Sequence, residues 1–153
     1  MINYIDQILE QKGYNPMKIA IPIWEDKVSP VFDTALRLLV VEVDGNKEAS
    51  RFIYYIGEQD LARKCQHIRT LDLDLLICGA VSHPFLHMLL ASGLEVIQQI
   101  SGKAEEVLEA YLKGNIYNTR FLMPGCKRYR RKYAKGIEHS MRFIKENRQE
   151  ENS

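Results

Sequence analysis

Between Met17 and Gly114 the apolar residues change period several times, and each change predicts an element. "KIAIPIW" (Lys18–Trp24) and "LRLLVVEV" (Leu36–Val43) are short β-branched runs, the length of strands rather than helices. "DGN" at Asp44–Asn46 is a hairpin turn into "ASRFIYYIG" (Ala49–Gly57), so the three runs predict an antiparallel meander. In "EQDLARKCQHIRTL" the residues Leu61, Cys65, Ile68 and Leu71 recur every three or four positions, the stripe of an amphipathic helix. "DLLICG" (Asp74–Gly79) predicts a buried strand, and "SHPFLHMLLASG" a helix with Ser82 as its cap and Pro84 in its first turn. The strand "LEVIQQI" and the helix "KAEEVLEAYLKG", stopped by Gly114, complete the unit.

The order is therefore βββαβαβα, with a right-handed crossover expected between the last two strands. The expected fold is α/β, a mixed sheet with flanking helices of the ribonuclease H-like type. Two flanks lie outside this unit. Residues 1–16 place Ile2, Ile5, Ile8 and Leu9 at helical spacing before Gly13 and Pro16, an N-terminal extension that reads either as a short docking helix or as an addition from an upstream start codon. Residues 115–153 begin irregularly with "NIYNTRFLMPGC" and end in a basic tail that reads as a frayed helix or disorder.

Composition narrows the class. The chain has 153 residues, 46% hydrophobic and 27% charged, enough for one domain with a real core. No apolar run approaches the ~18–20 residues of a membrane span, and the first residues lack the pattern of a signal peptide. A cytoplasmic protein without a membrane partner is expected, its three widely spaced cysteines reduced. Charge is unevenly spread. Residues 1–120 hold 12 Lys/Arg against 16 Asp/Glu, whereas residues 121–153 hold 9 against 4. Most of the excess is "KRYRRKYAK" (Lys127–Lys135), beside which Tyr129 and Tyr133 are potential stacking groups for nucleic acid. A solvated tail is the commoner fate of such a run, so nucleic acid is a minor expectation.

Where two strands are parallel neighbours, the loops after them emerge at one carboxyl end of the sheet, the usual ligand position in open α/β sheets. The loop Ser29–Asp33 and the loop Cys78–His83 are then expected as two rims of a cleft. Gly79 allows close backbone approach, and free N–H groups near Ser82 at a helix start favour an anion. Within this cleft Ser29, Phe32, Asp33, Cys78, Gly79, Ala80, Ser82 and His83 are the candidate cargo-binding residues. Cys78, His83 and Cys126 are the candidate metal donors. Each has a plainer reading. Cys78 ends a buried strand and is more often a core residue; Ser29 and Asp33 are ordinary turn residues and Phe32 a core cover; Cys126 is an exposed thiol that the following cations render acidic, as fit to be incidental as to bind a soft metal. His83 and His87 share a helix face without a third nearby ligand. Cys65 and His67 point to different faces.

Ser29-Pro-Val-Phe-Asp33, Ile77-Cys-Gly-Ala80 and Met123-Pro-Gly-Cys126, within residues 17–126, resemble the dinitrogenase iron-molybdenum cofactor biosynthesis family, the NifX-like nitrogenase accessory proteins. The resemblance implies a small ribonuclease H-like carrier that binds the iron-molybdenum cofactor or an iron-sulfur precursor without turnover. It also implies a cluster donor or acceptor protein as partner, with a homodimer allowed. A nuclease of related fold would need clustered carboxylates including one on the first strand, and "KIAIPIW" supplies none. In the carrier reading Cys126 closes over the cleft from the tail; the remaining alternative is a regulatory module whose basic tail contacts nucleic acid or a protein, without a cluster.

Overall fold

The structure is a computed structural model that describes residues 16–57 and 60–124. Its strands are β1 (Met17–Trp24), β2 (Lys27–Val28), β3 (Arg37–Asp44), β4 (Lys47–Tyr55), β5 (Leu75–Ile77) and β6 (Glu95–Ile97); its helices are α1 (Leu61–Thr70), α2 (His83–Ala91) and α3 (Ala104–Leu112). They form one six-stranded mixed sheet in the order β4-β3-β1-β5-β6, with β2 paired to β1. β1 is antiparallel to β3 and parallel to β5, and β5 is parallel to β6. The meander, the three helices and the chain order follow the periodicities read above.

The period of two in β1 explains the layering. Ile19, Ile21 and Ile23 point to one face, where Val107 and Leu108 of α3 cover them. Ala20 points to the other, where it meets Cys65 and Ile68 of α1 and Phe85 and Leu89 of α2. Both faces of the sheet centre are thus buried, which is why its strands read as nearly continuous apolar runs. Asp60 caps α1 by accepting the Arg63 N–H at 2.8 Å, and the Ser82 hydroxyl accepts the Phe85 N–H of α2 at 3.4 Å. Gly45 closes the β3–β4 turn with a φ of 65°, the left-handed position that the hairpin requires.

One element was not visible in the pattern. β1 turns back through Glu25 and Asp26 into β2, pairing Trp24 with Lys27 and Ile23 with Val28. Glu25 supplies the positive φ, 55°, that Gly or Asn usually supplies, so "WEDK" carries no turn signature.

Candidate functional site

Because β1, β5 and β6 run parallel, their carboxyl ends share one end of the sheet, and four segments meet there. The Phe32 N–H donates to the Ala80 carbonyl at 2.8 Å and the Ala80 N–H donates to the Pro30 carbonyl at 2.9 Å. The Gln99 N–H reaches the Gly79 carbonyl at 3.0 Å, and the Ile100 N–H reaches that of Cys78 at 3.0 Å. Beyond them the Ser101 N–H donates to the Phe121 carbonyl at 2.7 Å and the Met123 N–H to the Gln99 carbonyl at 3.0 Å. The chain therefore lays Pro30–Phe32, Cys78–Ala80, Gln99–Ser101 and Phe121–Met123 side by side as a bonded platform.

This corrects the expected cleft. The loops after β2 and β5 are zipped together as a parallel bridge between Val31 and Ala80, so the space expected between them is filled by main chain. Gly79 is what permits it: a Cβ there would stand 2.6 Å from the Ser29 carbonyl oxygen and 2.8 Å from that of Pro30. Real side chains do not approach so closely, and both obstacles are main chain.

Most of the loop residues build this platform. Ser29 is buried; its N–H donates to the Pro22 carbonyl at 2.8 Å and its hydroxyl to the Val31 carbonyl at 3.2 Å. Phe32 is fully enclosed against Phe85, ring centres 4.8 Å apart. Lys64 of α1, itself buried, donates its ammonium to the carbonyls of Asp33 and Ala35, satisfying the end of the short 3-10 turn at Phe32–Thr34. The Asp33 carboxylate accepts the Ser82 N–H at 2.9 Å. That bond narrows the expected anion seat at the start of α2: the Ser82 amide is taken by Asp33, the Phe85 amide by Ser82, and Pro84 has none, which leaves the His83 N–H.

Cys78 lies wholly inside the core beside Ala20 and Phe85. Burial, with a smaller push from the Asp33 charge, raises its thiol from 9.0 to about 12. In this setting the sulfur is neutral and out of reach, a packing group rather than a thiolate. Ala80 and Ser82 are half-buried at the rim, whereas His83 is exposed as the first residue of α2. His87, one turn on, is also exposed. Among the described residues no three His, Cys, Asp or Glu side chains gather as a metal site. Cys126 and the basic tail lie outside the described residues; Met123, three positions earlier, is bonded to the platform at Gln99.

Two contributors escaped the sequence reading. "LEVIQQI" suggested a strand through Ile100, but β6 ends at Ile97 and Gln99 takes a φ of 65°. For a non-glycine residue that conformation costs about 1 kcal/mol, and here it lets one residue bond Gly79 on one side and Met123 on the other. The second is a shallow depression of about 430 Å³ on the flank of the Ser29–Asp33 loop, lined by Trp24, Val31, Leu36 and Arg37 among others. Trp24, Val31 and Leu36 are exposed apolar side chains, a cluster that the sequence signals only through a lone tryptophan at a strand end.

No helix of the described residues is long and apolar enough to cross a membrane. The fold is similar to that of PH0822, at a TM-score of 0.61 and 17% identity over 64% of this chain and 90% of that one. It is also similar to the apo form of the orange protein from Desulfovibrio gigas, at a TM-score of 0.55 and 20% identity over 66% of this chain and 91% of that one. No curated protein matches the chain. The description of the dinitrogenase iron-molybdenum cofactor family matches residues 15–114, which take in the meander, all three helices and the first three strips of the platform, and on that match the chain belongs to this family.

Proposed function

We propose that the protein is a non-catalytic carrier for an iron-sulfur or iron-molybdenum type metallocluster, held at the carboxyl end of its ribonuclease H-like sheet. One observation carries the reading: Ser29–Asp33, Ile77–Ala80 and the strip that leads to Cys126 are tied into one platform by main-chain hydrogen bonds. Family membership supports a cofactor-associated role, and the orange protein, a structural neighbour, is described in an apo form.

The donors fit a loosely held cargo. A metallocluster brings its own sulfide ligands and needs few from the protein. Soft thiolate and imidazole groups suit its iron atoms. His83 is the exposed imidazole at the platform, and Cys126, which follows the Phe121–Met123 strip in sequence and lies outside the described residues, is the second proposed donor. Ala80 and Ser82 form the half-buried rim beside His83. Ser29, Phe32, Asp33, Cys78 and Gly79 serve by holding that rim in place. Two protein donors on a cargo allow transfer to an acceptor protein by ligand exchange, which a closed set of four would resist.

Anaerobic reconstitution with iron and sulfide, followed by metal analysis and absorption spectra, tests the reading. Stoichiometric cluster on the wild type, reduced in His83→Ala and Cys126→Ala, is the expected outcome. If neither a simple cluster nor the isolated iron-molybdenum cofactor is retained, the carrier role is wrong and a regulatory or interaction module takes its place.

A further inference from the structure

β4 is the outermost strand of the sheet, and soluble proteins disarm such edges with charges, bulges or short length. The first half of β4 is disarmed. Lys47 and Glu48 are charged, and the register shift opposite Glu42 and Val43 leaves Ala49 as a bulge. The second half, Arg51–Tyr55, has no such device. Phe52, Ile53 and Tyr55 are 46%, 52% and 66% exposed. Its one charge, Arg51, is turned onto the α3 face, where Glu48 and Glu105 neutralise it.

The register shows which main-chain groups face outward. The Ile56 N–H donates inward to the Leu36 carbonyl at 2.8 Å, so the alternation of an antiparallel ladder points Tyr54 and Phe52 inward as well. Arg51, Ile53 and Tyr55 then present their N–H and C=O groups away from β3. Among the described residues β4 pairs with β3 alone.

We propose that Arg51–Tyr55 pairs antiparallel with the same segment of a second copy of this chain, about a two-fold axis through Ile53. That axis sets Ile53 against Ile53 and Arg51 against Tyr55 in both directions, three pairs exchanging about six hydrogen bonds. Phe52 falls opposite Tyr54 on the other face, an aromatic cross-strand pair. The guanidinium, already neutralised by two carboxylates, lies beside an aromatic ring. Charge selects this register: moving the axis to Arg51 would oppose two guanidinium groups. A second copy therefore satisfies the edge with no unmatched charge, and an isologous two-fold contact closes instead of growing.

The test uses the full chain. Sedimentation across the micromolar range should show a monomer passing to a dimer with concentration, and Ile53→Lys should remain monomeric, with the wild-type melting temperature at the dilute end where both are monomers because the side chain is exposed. In a Cys126→Ser background, Ile53→Cys should cross-link to itself on oxidation, since facing Cα atoms about 5.5 Å apart fall within disulfide range. A monomer at every concentration, or a dimer that survives Ile53→Lys, overturns the proposal. So does a monomer whose Ile53 and Tyr55 amides exchange slowly with solvent, for then the chain's own residues cover the strand.

Discussion

The carboxyl end of the sheet and its β4 side treat exposed backbone in opposite ways. At the carboxyl end, four segments that are distant in sequence consume one another's N–H and C=O groups, and even an aspartate is spent on a main-chain amide. Along β4, the half-strand Arg51–Tyr55 offers its groups outward beneath three exposed apolar side chains. A platform fixed by main-chain bonds keeps its shape while its rim residues vary, as a binding surface needs. An open edge keeps no shape of its own and is completed by a partner strand. On the two proposals above, the regions divide the work: one presents a surface, the other recruits.

The sharpest way to break the comparison is to hollow the support of the platform. Phe32→Ala removes a fully enclosed ring from beneath the loop, and a loss of about 3–5 kcal/mol in denaturant unfolding is expected. Gly79→Ala should cost about 1–3 kcal/mol, because its Cβ meets two carbonyl oxygens and the zipped loops must part. Hydrogen exchange at the Phe32 and Ala80 amides should speed up in that variant while the β3–β4 ladder stays protected. Asp33→Ala leaves the Ser82 amide without its carboxylate and should cost about 1–3 kcal/mol, without changing the exchange of β4.

A pH series sharpens the contrast further. The Cys78 thiol titrates near its ordinary value when unfolded and near 12 when folded, so between about pH 9 and 12 the unfolded chain holds fewer protons than the native one. Stability is then full below pH 9 and falls as pH rises, by up to about 1.4 kcal/mol per pH unit from this group. Burial pushes Tyr111 upward too, with help from Glu95, and adds a decline of the same sign. Comparing wild type with Cys78→Ala isolates the thiol, and the variant should lose stability less steeply. The smallest expected effect is at the open strand, where Phe52→Ser and Ile53→Lys should each change monomer stability by less than about 0.5 kcal/mol.

Much of the scaffold was legible because side chains encode it. The runs of Ile and Val in β1 and β3, the turn at Gly45, the Ser82 cap and the stop at Gly114 all carry local signatures, and each stands within a residue or two of its expected place. The platform was legible only as a set of motifs. Which loops bond to which is decided by main-chain groups that every residue possesses, so Gly79 could suggest a close approach without naming Ser29 and Pro30 as the neighbours. Glu25 and Gln99 hid their turns by occupying left-handed positions without the usual residue types. Cys78 stood between two readings because burial, which separates an inert thiol from a reactive one, depends on Ala20 and Phe85 from other elements.

The central claim is that the platform presents cargo to donors at its surface and not to the thiol within it. It is tested most directly by reconstituting Cys78→Ala and Cys126→Ala side by side with iron and sulfide under anaerobic conditions and reading cluster absorption per chain. The account predicts that Cys78→Ala retains the cluster and Cys126→Ala loses most of it. Loss confined to Cys78→Ala, with the variant still folded, would contradict it.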